Sequence, residues 1–340
     1  MKVYINGIGL VSPQETIDNQ RFLENIVELQ AEYFPIIEPP YKDFIDPKEL
    51  RRMSKIIRNG IVAAKIALAE SGMENPDAIL TGTGLGCAID TEKFLTSMVE
   101  NKESMLTPTS FIQSTHNTLG GSIAIGLGCH NYNMTYVHRG FSFETALIDA
   151  MLMIQSGEIA NALVGAFDEM TYMHNRLIRS TPMYNPQTGA VPGQATGFFG
   201  LDVILSENSY GQLLDVKTLY NPELATIESE IESLLKAHGA DASKTVVLMG
   251  YNGLEAEKLV YDHIKNKLFT NSAIGHFKQL CGEFYTATGF AFWIAAQILK
   301  KQSLPQAIIY SGLIPESIEH VLIYNQFQQI EHSLILLGKC

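Results

Sequence analysis

Between Asn133 and Glu158 the chain reads NMTYVHRGFSFETALIDAMLMIQSGE. A β-branched and aromatic run gives way to Arg139-Gly140, then to a helical apolar pattern that stops at Gly157. This is the pattern of a strand, a sharp turn and a buried helix. Such a turn exposes a side chain where the first N–H groups of a helix stabilise an anion, so it suits a nucleophile in acyl transfer. No cysteine stands there. Ser142 could serve as a substitute nucleophile, with His138 as the nearby base. The weightier reading makes Ser142 an N-cap or first-turn residue and His138 a buried polar side chain bonded to backbone. Arg139, beside a buried turn, calls for an anionic partner, and Glu144 and Glu283 are the candidates. An Arg139–Glu283 pair would be structural. Glu283 by itself could act as a general base in a pocket, or pair with Lys278 as a plain salt bridge.

The elements that must hold these residues are legible from periodicity. Val3–Gly7, residues 78–86, 133–138, 160–165 and 197–206 read as strands, with helices over 47–72, 114–128 and 141–156. The second half alternates in the same way. Strands fall at 213–220, 245–250, 307–311 and 333–337, and helices at 227–238, 255–266 and 284–300. Alternation of this kind implies an α/β fold with mostly parallel sheets covered on both faces. The segment 208–211 is the expected boundary, giving an N-terminal half over 1–207 and a C-terminal half over 208–340.

Composition narrows the function classes. The chain has 340 residues, 46% hydrophobic and 18% charged, so it can bury a large core. With 24 Lys and Arg against 36 Asp and Glu, the net charge of −12 argues against nucleic acid as a partner. Cys87, Cys129, Cys281 and Cys340 show no paired spacing, so neither a disulfide framework nor a metal site is expected. No cofactor is expected either: Gly82-Thr83-Gly84-Leu85-Gly86 resembles part of a dinucleotide loop but lacks its full spacing and its acidic residue. With no signal-peptide pattern and no apolar run long enough for a membrane span, a cytoplasmic protein is the expectation.

Five stretches in order carry a family resemblance. VYINGIGLVSP, FIDPKELRRMSKIIRNGIVAAKIAL, SGEIANALVGAFDEM, PGQATGF at Pro192–Phe198 and KQLCGEFYTATG at Lys278–Gly289 resemble the β-ketoacyl synthases of the thiolase superfamily over nearly the whole chain. The resemblance implies a thiolase-like fold, two similar α/β halves forming a layered αβαβα core. It also implies a Cys nucleophile and two histidines for condensing an acyl thioester with malonyl-carrier protein. Carried over singly, the nucleophile position falls on Gly140, counted back from Gly157-Glu158. The first histidine falls on Gly250 in VVLMGYNG. The second falls on Glu283, with Lys278 at the family lysine. A rival register through Ile274-Gly275-His276 leaves thirteen residues to Gly289, where the family has six. The family's C-terminal GFGG turn reads Phe327-Gln328-Gln329-Ile330-Glu331.

A glycine can neither form a thioester nor move a proton. The resemblance therefore points to the chain-length-factor type, which keeps the fold, loses the Cys, and shapes the acyl pocket of a catalytic partner in fatty acid, polyketide or aryl-polyene biosynthesis. It implies a homodimer or heterodimer through the strand at 133–138, an acyl pocket or interface at Phe111, Ser114, His116, Asn117 and Phe198, and an acyl carrier protein as partner. Arg51, Arg52, Lys55, Arg58 and Lys65 form a basic stripe that could steer that acidic carrier or be a solvated helix face. Two alternatives stand beside this reading: an active 3-oxoacyl synthase or acyltransferase with a rearranged site at Ser142, His138 or Glu283, and a homodimer that binds an acyl chain or carrier protein without chemistry.

Overall fold

The computed structural model describes residues 1–29, 31–184 and 189–340. The first part of the chain supplies β1 (Val3–Val11), α1 (Pro47–Leu50), α2 (Lys55–Ser71), β2 (Ala78–Gly82), α3 (Ala88–Glu100), α4 (Pro108–Ser114), α5 (Thr118–Leu127), β3 (Tyr132–Tyr136), α6 (Ser142–Ser156), β4 (Asn161–Asp168), α7 (Tyr172–Ile178) and β5 (Ala195–Asp202). The second supplies β6 (Gly211–Tyr220), α8 (Leu224–Ala237), β7 (Thr245–Met249), α9 (Glu255–Leu268), β8 (Ala273–His276), α10 (Lys278–Cys281), α11 (Ala287–Lys301), β9 (Ile309–Ser311), β10 (His320–Phe327) and β11 (Glu331–Gly338).

The strands order as β3-β2-β4-β5-β1-β6-β11-β10-β7-β8-β9. On either side of the β1–β6 junction the order is the same read outward: β1-β5-β4-β2-β3 and β6-β11-β10-β7-β8. In each set four strands run in one direction and one, β5 or β11, runs against them. The central strands are continuous apolar runs buried on both faces, as parallel strands between helix layers must be. Between the two sets lie α6 and α11. All residues of α11 from Ala287 to Leu299 are buried, and Phe143 of α6, Phe199 of β5 and Phe292 of α11 pack at centroid distances of 4.7–5.7 Å. Helix α2 covers the outer face of β1 and β5. It comes so close that a Cβ on Gly9 would lie 2.0 Å from the Ala63 carbonyl oxygen. On the opposite outer face, Ile227, Ile231 and Leu234 of α8 and Ile264 of α9 pack on Val247, Leu322 and Leu336. The result is the five-layered αβαβα, thiolase-like fold.

Several elements differ from the sequence expectation. The helix expected over 47–72 is two helices. Pro47 opens α1, whose Asp46 carboxylate accepts from the Lys48 N–H at 2.7 Å, and extended Ser54 starts α2 afresh. The helix expected from 284 begins at Ala287, because residues 282–286 turn into the site described below. β8 and β10, and the helices α3, α4, α7 and α10, were not anticipated. Cys87, Cys129 and Cys281 are buried free thiols and Cys340 is exposed. Among the described residues no helix is long and apolar enough to cross a membrane.

Candidate functional site

The strand–turn–helix at residue 140 exists as β3, a single 3-10 turn over Arg139–Phe141, and α6. The strain of the turn sits at Arg139, in the left-handed region at φ 54°. The next residue, Gly140, is buried, and its N–H donates to Glu331 Oε2 at 2.9 Å. A Cβ built on Gly140 would meet that same oxygen at 2.7 Å and Phe327 Cβ at 3.1 Å. The N–H that would stabilise an anion thus already holds one, and the space for a side chain is filled.

Arg139 corrects the sequence reading. Its side chain is 58% exposed and pairs with Glu331 at 3.8 Å and with the Gln328 amide oxygen at 3.1 Å, not with Glu144 or Glu283. Glu144 is instead buried in α6, accepting from the Ser333 hydroxyl at 2.8 Å, and burial pushes its pKa up to about 7. Ser142 is fully buried at the first position of α6. Its hydroxyl lies 2.9 Å from the Thr83 carbonyl and 2.7 Å from that of Arg139, and it accepts the His138 N–H at 2.9 Å. It ties the turn to β2. His138 is exposed rather than buried, and its Nδ1 bonds the Thr145 hydroxyl at 3.1 Å rather than backbone.

Gly250, just past β7, and Lys278 and Glu283, around α10, come to the same place. Three successive residues at the end of β10 meet Gly250, Lys278 and Gly140. Gly250 faces Asn325, whose Oδ1 would lie 2.1 Å from a Cβ built on the glycine. Lys278 Nζ donates to the Gln326 carbonyl at 3.2 Å, and Gly140 abuts Phe327. Glu283 is buried. Its Oε2 accepts from Lys278 Nζ and from Asn252 Nδ2, each at 2.7 Å, while Oε1 has no partner among the described residues. Glu257 of α9 is also buried, and neither of its carboxylate oxygens has a partner among the described residues. Burial raises the pKa of both carboxylates, that of Glu257 to about 8, against the pull of Lys278. Sequence reasoning missed Asn252, Glu257 and Asn325, which have no local signature; it named Glu331 as the end of the C-terminal turn but not as the acceptor for Gly140. The rival His276 points elsewhere: it stacks on Tyr310 at 4.1 Å, and burial lowers its pKa to about 4.

Glu283 also lines a cavity of about 380 Å³, together with Asp168, Glu169, Tyr184, Phe284, Tyr285 and Phe327. The stretch matched as PGQATGF closes one side. Gly193 donates to the Glu283 carbonyl at 3.0 Å, and a Cβ on it would lie 1.8 Å from the Cys281 oxygen. Asp168, at the end of β4, is a further residue that sequence reasoning overlooked. Buried, it accepts from the N–H groups of Gly84, Leu85 and Thr286 and the hydroxyls of Thr83 and Thr286, at 2.9–3.1 Å. The Gly82–Gly86 loop therefore spends its N–H groups on a carboxylate of the chain itself. That leaves no phosphate cradle there. Cys281 offers no thiolate, since burial pushes its pKa well above the usual thiol value.

The residues expected at an acyl pocket or interface separate. Phe111 is exposed on α4, Ser114 half-buried at its end, and His116 and Asn117 exposed before α5. His116 rests against Gly86. Phe198 lies in the core with Val11, Ile79, Leu163 and Phe167 rather than on the wall of the cavity at Glu283. Of the basic stripe, Lys55 pairs with Glu38 at 2.9 Å, Lys65 donates to the Phe44 carbonyl at 2.6 Å, and Arg58 lies over Tyr41. Arg51 and Arg52 are exposed and form no ion pair among the described residues.

Residues 37–197 match the sequence model of the beta-ketoacyl synthase N-terminal domain. No curated protein matches the sequence significantly. Solved structures similar to the whole chain include the ishigamide ketosynthase/chain length factor (TM-score 0.81, 16% identity) and the AntDE:AntF complex of a type II PKS acyl-carrier protein with its ketosynthase (0.78, 15%). A third is the ketosynthase ApeO with its chain length factor ApeC from Xenorhabdus doucetiae (0.76, 15%). Each match covers 100% of this chain, and 99%, 99% and 98% of the respective other chain. By sequence over residues 37–197 and by fold over its whole length, the protein resembles the β-ketoacyl synthases, and chain length factors stand among its structural neighbours.

Proposed function

We propose that this chain does not condense acyl groups itself and acts as the chain-length-factor-like partner of a ketosynthase that retains its Cys and two His. The observation that carries the reading is at Gly140. The elbow has no nucleophile, its N–H is bonded to Glu331, and the space beside it is taken by Glu331 and Phe327. At the positions matched to the family's histidines, Gly250 has no side chain and the carboxylate of Glu283 is engaged by Lys278 and Asn252. Without thioester formation and histidine assistance to decarboxylation, the condensation has no route here.

The partner half of the proposal rests on β3. This strand lies at the edge of the sheet, paired only with β2, and carries exposed Tyr132 and Met134. An open edge with apolar side chains favours pairing with another chain. The structural neighbours named for ketosynthase/chain length factor pairs and for a carrier-protein complex support a ketosynthase and an acyl carrier protein as the partners, in fatty-acid- or polyketide-type biosynthesis. Arg51 and Arg52 are the unpaired cations that an acidic carrier could meet.

Intact-protein mass spectrometry after incubation with acyl-carrier-protein thioesters tests the reading. The measurement is made with and without a triad-bearing synthase from the same source. Acyl mass on the synthase alone, and co-purification of the two chains, is the expected result. Acyl mass on this chain, lost in Ser142→Ala, would make it a rearranged acyltransferase. A stable homodimer that ignores the synthase would make it a stand-alone binding protein.

A further inference from the structure

A cavity of about 330 Å³ lies between α2, α5 and the residues around α1, and none of its lining belongs to the site at Gly140. The two longer helices touch at one end of it. A Cβ on Gly60 of α2 would lie 2.3 Å from Leu119 Cδ1 of α5. About one helical turn further on, Ala64 of α2 and Ser122 of α5 line the cavity instead of filling it. A Cβ on Gly126, also in the lining, would meet nothing within 4 Å. Small residues at these places hold the groove open.

The floor is apolar. Ile45, Ala64, Leu68 and Ile123 are buried members of the core cluster that also line the cavity. Ile125 at the rim is 85% exposed. The groove therefore presents apolar surface to solvent in a concave place of small-molecule size, which an apolar ligand body would remove from water.

The charges at the rim select the other end of such a ligand. Arg52 and Lys65 are exposed in the lining, and Glu49 is its one carboxylate among the described residues. The Arg52 carbonyl accepts Gln113 Nε2 at 2.7 Å, which ties this stretch to α4, while its guanidinium forms no ion pair among the described residues. Lys65 spends one N–H on the Phe44 carbonyl at 2.6 Å and has no carboxylate partner there. Two cations against one anion make a locally positive rim on a chain whose net charge is −12. A carboxylate answers that excess, and the planar fork of an arginine fits it in two-point contact. A cationic head would be repelled, and a neutral one would leave the excess unmatched.

We propose that this cavity binds a small amphiphile with one carboxylate on a linear apolar chain, its head at Arg52 and Lys65 and its chain against Ile45, Leu68 and Ile123. The site goes beyond the non-condensing role at Gly140 and does not depend on it.

Calorimetric titration of the full-length protein, with no carrier protein present, tests the proposal. Octanoate is the probe, and octanol and octylammonium are its neutral and cationic counterparts. Octanoate should bind saturably, about fivefold or more tighter than octanol, with octylammonium weakest. Hexanoate should bind several-fold weaker than octanoate, because less chain leaves water. Arg52→Gln should bring octanoate to about the level of octanol and leave octanol unchanged. Ser122→Phe, which fills the cavity, should weaken octanoate and octanol alike by about tenfold or more. Should Ser122→Phe fail to fold, Arg52→Gln alters an exposed side chain and still decides. Octanol or octylammonium binding as tightly as octanoate overturns the proposal. So does octanoate binding unchanged in Arg52→Gln or in folded Ser122→Phe, or no saturable octanoate binding up to about 5 mM.

Discussion

Two glycines at this site are made obligatory by what stands beside them. Gly140 leaves room for the Glu331 carboxylate, and Gly250 for the Asn325 amide. Restoring the missing sulfur therefore does not restore the chemistry. Gly140→Cys should gain no acyl mass from a carrier-protein thioester, because Gly250 and Glu283 stand at the positions matched to the two histidines and the added side chain meets Glu331 and Phe327. Gly140→Ala should leave condensation by the pair nearly intact and lower this chain's stability by about 1 kcal/mol, read by denaturant melting, as Glu331 swings aside. A loss of condensation in Gly140→Ala with the dimer preserved would speak against the non-catalytic role. Asp168 is the opposite case, a residue whose charge is fully employed. Asp168→Ala strips five donors of their acceptor and should cost about 3 kcal/mol or more, with the Thr83–Leu85 loop losing protection in hydrogen exchange.

At the scale of elements, α9, α10 and the end of β10 enclose Glu257, Lys278 and Glu283, two carboxylates and one ammonium. Burial raises Glu257 to about 8, and in α6 and after β4 it raises Glu144 and Glu169 to about 7. Each of these groups has a folded pKa above its unfolded value of roughly 4.3. The folded state then holds protons that the unfolded state has lost. Their stabilising contribution is complete below about pH 4.5 and declines as pH rises through 7 to 8. The melting temperature should therefore fall by several degrees between about pH 6 and pH 9. Glu257→Gln should flatten the portion near pH 8, since Gln keeps the shape and cannot ionise. A melting temperature that rises over that interval would contradict the protonated state assigned to Glu257.

For the whole molecule, the sheet ends in β3, a strand with one neighbour and an exposed apolar face. Met134→Asp places a charge on that face, while Thr135 keeps its 2.8 Å hydroxyl bond to Thr81 inside the sheet. The variant should elute as a monomer in size-exclusion chromatography. The isolated chain's melting temperature should change by no more than about 2 °C, since Met134 is a surface residue here. Association undiminished by the change would place the interface elsewhere.

Apolar periodicity and the Gly stops were enough to read the strand–turn–helix at residue 140, most of the strands, and the alternation that makes an α/β fold, because each depends on neighbours within one element. Motif spacing likewise placed Lys278 and Glu283, whose ion pair is five residues long in sequence and 2.7 Å in space. What fills the elbow was not legible. The resemblance marked the turn at Phe327–Glu331, but nothing local marks the Glu331 carboxylate as the acceptor at Gly140 or Asn325 as the neighbour of Gly250. The two side chains reach Gly140 and Gly250 only because β10 pairs in parallel with β7, and the β10–β11 turn then folds across the N-terminus of α6. Arg139 was assigned the wrong acid for the same reason. Its partner is 192 residues away, and a contact over that span is set by strand register and layer packing, which no local pattern of side chains encodes.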